Sequence, residues 1–364
     1  MKECDSASFR FVSTPDPVLE AFELAFPWGG LDPFLFTVHH VDEYPAGNEL
    51  QGPAATLNGR RLGADFSYLD GWSMYHGVDV PGFPRHPHRG FETVTVVRRG
   101  FVDHSDSLGA TARYGEGDVQ WLTTGEGIMH AEMFPLVRAD RANPMELFQI
   151  WLNLPPHSKM VRPYFGMLWA EDIPTVPVGQ GGVRVTVFAG NLEGNQPPAP
   201  PPDSWASGPD SEFAIWLIDV DEGARWTLPA SAVETNRALY CFEGAGARIG
   251  TTMVSSGEGL RLRPEAPALI TNDEGRAQFL MLQGRPIGAP VFQMGPFVMN
   301  SAEEIEAAVR DYRTTGFGGW PWSRPDPVHD RTKGRFAIHA DGRIEHRDPA
   351  REPVGQSLAA QTGR

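Results

Sequence analysis

Short apolar runs separated by glycine, proline and acidic turns set the pattern of this chain. Residues 91–98 (FETVTVVR) and 117–123 (GDVQWLT) are β-branched or aromatic runs bounded by glycines, and further runs stand at 146–154 (ELFQIWLNL) and 183–189 (VRVTVFA). The same texture returns after residue 210 as FAIWLIDV, RWTL, RALYCFEG, GLRLRP, APALIT and AQFLMLQG, divided by DEG, EGAG, SSGEG and NDEG turns. These runs have strand length and strand composition, so the pattern predicts an all-β protein with two successive β domains. Helical spacing occurs at Ile305, Val309 and Tyr312 behind a Ser301–Glu304 capping box, which predicts one short helix closing the second domain. Past residue 325 the chain turns polar, and an Asp341–Gly342 turn between alternating runs predicts a peripheral hairpin.

A length of 364 residues agrees with two cores rather than one. The stretch 170–182 (AEDIPTVPVGQGG) has turn composition, which gives domains of 1–175 and 176–325 and a polar tail over 326–364. PPAPPPDS at 197–204 reads as a stiff excursion inside the second domain. No short repeat is visible, although one barrel plan used twice is compatible with the strand counts.

A net charge of −15 argues against a chain that neutralises nucleic-acid phosphates, since that role needs clustered Lys and Arg. Cys4 and Cys241 are the two cysteines, too far apart for a disulfide framework or a zinc cluster, which fits a reducing compartment. The first residues lack a basic start followed by an apolar core, and no run of about 18 apolar residues occurs. A cytoplasmic protein without membrane contact is the expectation.

Candidate chemistry is concentrated in the first half. No histidine occurs between residues 158 and 328, so the second β domain has no imidazole with which to hold a transition metal. His86 and His88 are two apart, and on an extended segment they project from one face; His130 and Glu132 repeat that spacing. Two such pairs on neighbouring barrel strands would converge as three nitrogens and one carboxylate oxygen. On an ion that prefers six ligands, that set leaves about two positions for water, dioxygen or a chelating substrate, and it suits iron, manganese, nickel, copper or zinc. An isolated HxH pair is most often two surface histidines. His39, His40 and His104 are read as exposed, and Trp121 with Phe91 as barrel packing.

The phrases HPHRGFETVTVV, DHSDSLG and GDVQWLTTGEGIMHAEM together resemble the cupin-motif segment of the pirin family. LDPFLF at 31–36, FQIWLNLP at 148–155 and PVFQMGPFVMNSAEEIEAAVRDYRTTGFG at 290–318 are also similar to pirin segments, so most of residues 25–320 is covered. The resemblance implies a bicupin of two jelly-roll-type β-barrels, with one mononuclear metal, iron by default, in the first. Carried over, the ligands fall on His86, His88, His130 and Glu132. Glu92 stands where many cupins place a carboxylate ligand, which makes it the candidate general base or support for the ligands. Met294 and Phe134 depart from the family's HGPFVMN and EMP.

Some pirins resemble quercetin 2,3-dioxygenases in activity. The implied function is a dioxygenase that takes a small planar chelating enol such as a flavonol, together with dioxygen. The alternative is a redox-sensitive regulator that binds a transcription factor or metabolic enzyme as its protein partner.

Overall fold

The computed structural model describes residues 15–347. Strands dominate it, and the expected all-β bicupin with a short C-terminal helix is the observed architecture. No described helix is long and apolar enough to cross a membrane.

Two six-stranded sheets form the first half. One has the spatial order Tyr164–Leu168, Val119–Thr123, Phe91–Arg99, Asn143–Asn153, Phe34–Tyr44, Trp28–Gly29; the other runs Ile344–Arg347, Arg335–Ile338, Thr111–Gly115, Phe101–Asp106, Ile128–Met133, Gly82–His88. In the second half a seven-stranded sheet faces a four-stranded one, and Ala214–Val220, Ala277–Gly284 and Asn236–Gly244 lie at the centre of the larger.

The large sheets of the two halves pack face to face. Val94, Val96, Phe148 and Ile150 from the first meet Ile215, Leu217, Tyr240 and Leu280 from the second in one shared core. Each large sheet is thereby covered on both faces, which is why FETVTVV and AIWLI are apolar or uncharged almost throughout rather than cleanly alternating. Residues of opposite parity face the barrel interiors, with Val97, Leu122 and Leu147 in the first and Val185, Trp216 and Leu239 in the second.

Sequence order does not decide which half a segment joins. Val18–Glu23, at the N-terminal end, pairs with Glu258–Leu262 on the edge of the second half's large sheet. At the other end, Arg335–Ile338 pairs with Thr111–Gly115, and the hairpin it forms with Ile344–Arg347 across the Asp341–Gly342 turn extends a sheet of the first half. A division at residue 175 is thus crossed at both ends by strand pairing.

The helix Ala302–Thr315 begins where its capping signal places it, with the Ser301 hydroxyl accepting from the Glu304 N–H and Gly316 ending it at φ 56°. Its packing corrects the expectation that it closes the second domain. Ile305 and Ala308 sit with Phe297, Met299 and Phe317 against Met129 of the first half, and Asp311 accepts from Arg89 at 2.7 Å. Apolar burial chooses the nearest uncovered face, whichever half supplies it.

Candidate metal centre

Strand pairing brings the two histidine-bearing segments together. Gly82–His88 runs antiparallel to Ile128–Met133 with His86 directly opposite His130 and His88 opposite Ile128. Because i and i+2 share a face, His86, His88, His130 and Glu132 all project into the first barrel. The ring centroids of His86, His88 and His130 lie 4.4–4.8 Å apart, and their ligand atoms lie within 4.8 Å of one another.

The turn after His88 is fixed from outside. Gly90 has φ 85°, and a Cβ there would meet the Val298 carbonyl oxygen at 2.1 Å, so only glycine fits. The buried Lys159 ammonium donates to Gly90 O, Val298 O and Asn153 Oδ1 at 2.7, 2.9 and 2.6 Å. Residues far along the chain therefore clamp the end of the ligand-bearing strand.

The histidines have the chemistry of ligands. His86 Nδ1–H donates to the Pro84 carbonyl at 2.9 Å, which leaves Nε2 bare and pointing inward. His88 Nδ1 and both ring nitrogens of His130 are buried without a hydrogen-bond partner. Orphaned buried ring nitrogens are costly unless something binds them. Burial lowers His86 to about 4 and holds His88 and His130 well below the ordinary imidazole value, so all three are neutral at pH 7, the form that ligates.

Glu132 stands beside them, with Oε2 3.8 Å from His130 Nε2. The Gln149 amide donates to that oxygen at 2.8 Å, and Thr95 makes a long contact of 3.4 Å to the other. Burial raises its carboxyl above the ordinary range, and among the described residues no Lys or Arg pairs with it. A cation among the three imidazoles would satisfy both the bare nitrogens and this carboxylate, so these residues fit a bound metal ion. A stack of aromatic rings adjoins them: partly exposed Phe36 lies 4.4 Å from Trp151, and Trp151 lies 4.0 Å from Phe91 and 5.4 Å from His88.

Glu92 is a correction. His88 and Glu92 are separated by the Arg89–Gly90 turn, and side-chain parity does not carry across a turn. On its own strand Glu92 has the parity of Val94 and Val96, so it faces the other half, accepting from the Thr123 hydroxyl at 2.6 Å and the Ser204 hydroxyl at 2.5 Å. The excursion over 197–204 ends at this contact.

Burial pushes the Glu92 carboxyl up to about 7, and no described cation pairs with it. A raised folded-state value means that the protonated group stabilises the fold; that contribution is full below the unfolded value near 4.5 and is lost as pH rises through about 7. Glu92→Gln is therefore expected to gain stability relative to wild type between pH 5 and 8, by on the order of 2–3 kcal/mol at the upper end. Thermal melts across that range check it, and a pH-independent difference contradicts it.

Three other histidines also sit elsewhere than expected. His104, read as lying in an exposed turn, is fully buried on Phe101–Asp106, stacked on Phe165 and 5.5 Å from His130. Gln120 donates to its Nδ1 at 2.9 Å, and its Nε2 contacts Asp106 at 3.2 Å, so it has no nitrogen left for an ion. His40 is buried against the Tyr75 hydroxyl at 2.9 Å, and His39 is half-buried on Glu146 at 3.1 Å. Of the two departures from the motif, Phe134 is buried near Phe83 and Tyr75, while Met294 is exposed.

Comparison with known proteins agrees with this architecture. The Pirin family model matches residues 47–152, and that of the pirin C-terminal cupin domain matches 215–318. A Pseudomonas aeruginosa protein, provisionally named a quercetin 2,3-dioxygenase, is 38% identical over 251 residues, 68% of this chain and 85% of its own. Rat pirin is 33% identical over 286 residues, 74% of this chain and 90% of its own. Among solved structures, a quercetin 2,3-dioxygenase from Acinetobacter baumannii aligns with a TM-score of 0.66 at 26% identity, over 83% of this chain and 98% of that one. Matching models in both halves, together with relatives that are covered over most of their length, make this chain a member of the pirin family.

Proposed function

We propose that this protein is an iron-dependent dioxygenase that opens a flavonol or a similar chelating enol. The observation that carries the proposal is the convergence of three neutral imidazoles and a buried carboxylate at the inner end of an aromatic stack. His86, His88, His130 and Glu132 would hold the ion. When bound, it would supply Lewis acidity toward the enol oxygen and a redox partner for dioxygen.

The chain's own groups account for the rest. Phe36, partly exposed over the buried Trp151 and Phe91, presents flat apolar surface suited to a planar aromatic substrate. Glu132 replaces Glu92 as the carboxylate placed to receive the substrate proton, because it is the one that stands beside the histidines. Gln149 holds that carboxylate in place. The provisional name of the Pseudomonas relative and the name of the Acinetobacter structure support the substrate class.

An oxygen electrode tests the reading. Iron-loaded protein is expected to consume dioxygen with quercetin in a saturable way, and Trp151→Ala is expected to raise KM several-fold with the metal retained. No uptake despite stoichiometric iron removes the proposal and turns attention to a regulatory role.

A further inference from the structure

The second barrel contains no histidine, and its packed interior is open at one end. A cavity of about 780 Å3 opens at one end, lined by Leu192, Trp216, Trp226, Ser231, Arg237 and, over its mouth, the proline-rich stretch from Pro197. Arg237 belongs to the strand Asn236–Gly244, directly opposite Gln283, and shares the interior parity of Leu239. Its guanidinium is buried, and Nε and Nη1 have no partner; Nη2 makes only a 3.7 Å contact to the Met281 sulfur.

The other buried arginines show how unusual this is. Arg60 pairs with Asp65, Arg89 with Asp311, Arg113 with Asp103 and Arg335 with Asp118. Arg237 alone among these five has no carboxylate. Burial lowers it only to about 10, so it carries its charge at pH 7. An unpaired buried cation is costly, and two more orphaned donors, Trp216 Nε1 and Ser231 Oγ, line the same cavity. A guanidinium donor fork, two spare donors and two indoles match a carboxylate carried on an apolar ring.

We propose that the second barrel is a binding site for a small aryl monocarboxylate, held by Arg237 through its carboxylate and by Trp216 and Trp226 through its apolar body. The exposed Glu193 and Glu212 line the cavity as well and disfavour a doubly charged anion such as phosphate. The site is independent of the metal centre. The proline-rich excursion gains a role as one wall of the mouth.

Isothermal titration with benzoate, using the metal-loaded protein and the His130→Ala variant, tests this. One benzoate per chain is expected in both, with inorganic phosphate binding more weakly. Arg237→Met is expected to raise the benzoate Kd by about ten- to a hundredfold, the loss of a charge-assisted pair, while Arg237→Lys falls between. Without ligand, Arg237→Met is expected to melt no lower than wild type, since it removes an uncompensated charge. No benzoate binding at millimolar concentration, or binding unchanged in Arg237→Met and Arg237→Lys, overturns the proposal. Phosphate binding as tight as benzoate binding overturns the ligand class.

Discussion

His130→Ala is expected to lose its metal, with the affinity falling by more than about a hundredfold, beyond what loss of a supporting residue costs. This imidazole is the central ligand candidate: it lies opposite His86 in the sheet, within 4.8 Å of His88 and beside Glu132, and neither of its nitrogens has another partner. The apo fold is expected to survive, because the barrel core around Val97, Leu122 and Leu147 does not involve it. Removing a buried imidazole with no hydrogen bond costs little beyond its packing. Equilibrium dialysis against ferrous iron, with a melt of the apo form, separates the two effects. Full metal retention by a folded His130→Ala protein would contradict the ligand assignment.

The largest loss of stability is expected at Arg113. Its guanidinium makes a two-pronged contact with Asp103, at 2.7 and 2.8 Å, inside the first half. It also donates to the carbonyls of His329, Asp330 and Lys333, which tie the C-terminal segment to the barrel wall. Arg113→Leu removes the cation paired with a buried carboxylate, which keeps only the His329 N–H at 2.8 Å, and takes a donor from three carbonyls; breaking such a buried pair costs about 3–5 kcal/mol, or roughly 6–15 °C in Tm. Adding Asp103→Asn to that variant is expected to recover part of the loss by removing the stranded charge. A drop of less than about 1 kcal/mol in urea denaturation would show that water reaches Asp103 and that the pair is not a structural tie.

Much of this was readable from the residues. Strands recur at short spacing between Gly and Pro turns, and the absence of histidine from 158 to 328 confines the candidate metal site to the first half. The HxH and HxE pairs work because strand parity is local and exact over two residues. That same locality explains the error at Glu92, where a turn resets parity. The strand Phe101–Asp106 was hidden because its Asp, His and Ser read as turn residues; they are buried because each finds a partner, His104 on Gln120, Asp103 on Arg113 and Ser105 on Thr111. Docking of the Ala302–Thr315 helix on the first half, and pairing of Val18–Glu23 with the second, are choices among distant partners that no local pattern encodes. Arg237 gave no sequence signal, since its significance lies in the partner it lacks.

The most direct test of the central claim is an anomalous difference map at the iron edge from crystals grown with ferrous iron. The account requires one peak per chain within bonding distance of His86, His88, His130 and Glu132, and none in the second barrel. A peak elsewhere, or an empty first barrel in crystals whose protein retains iron, would contradict it.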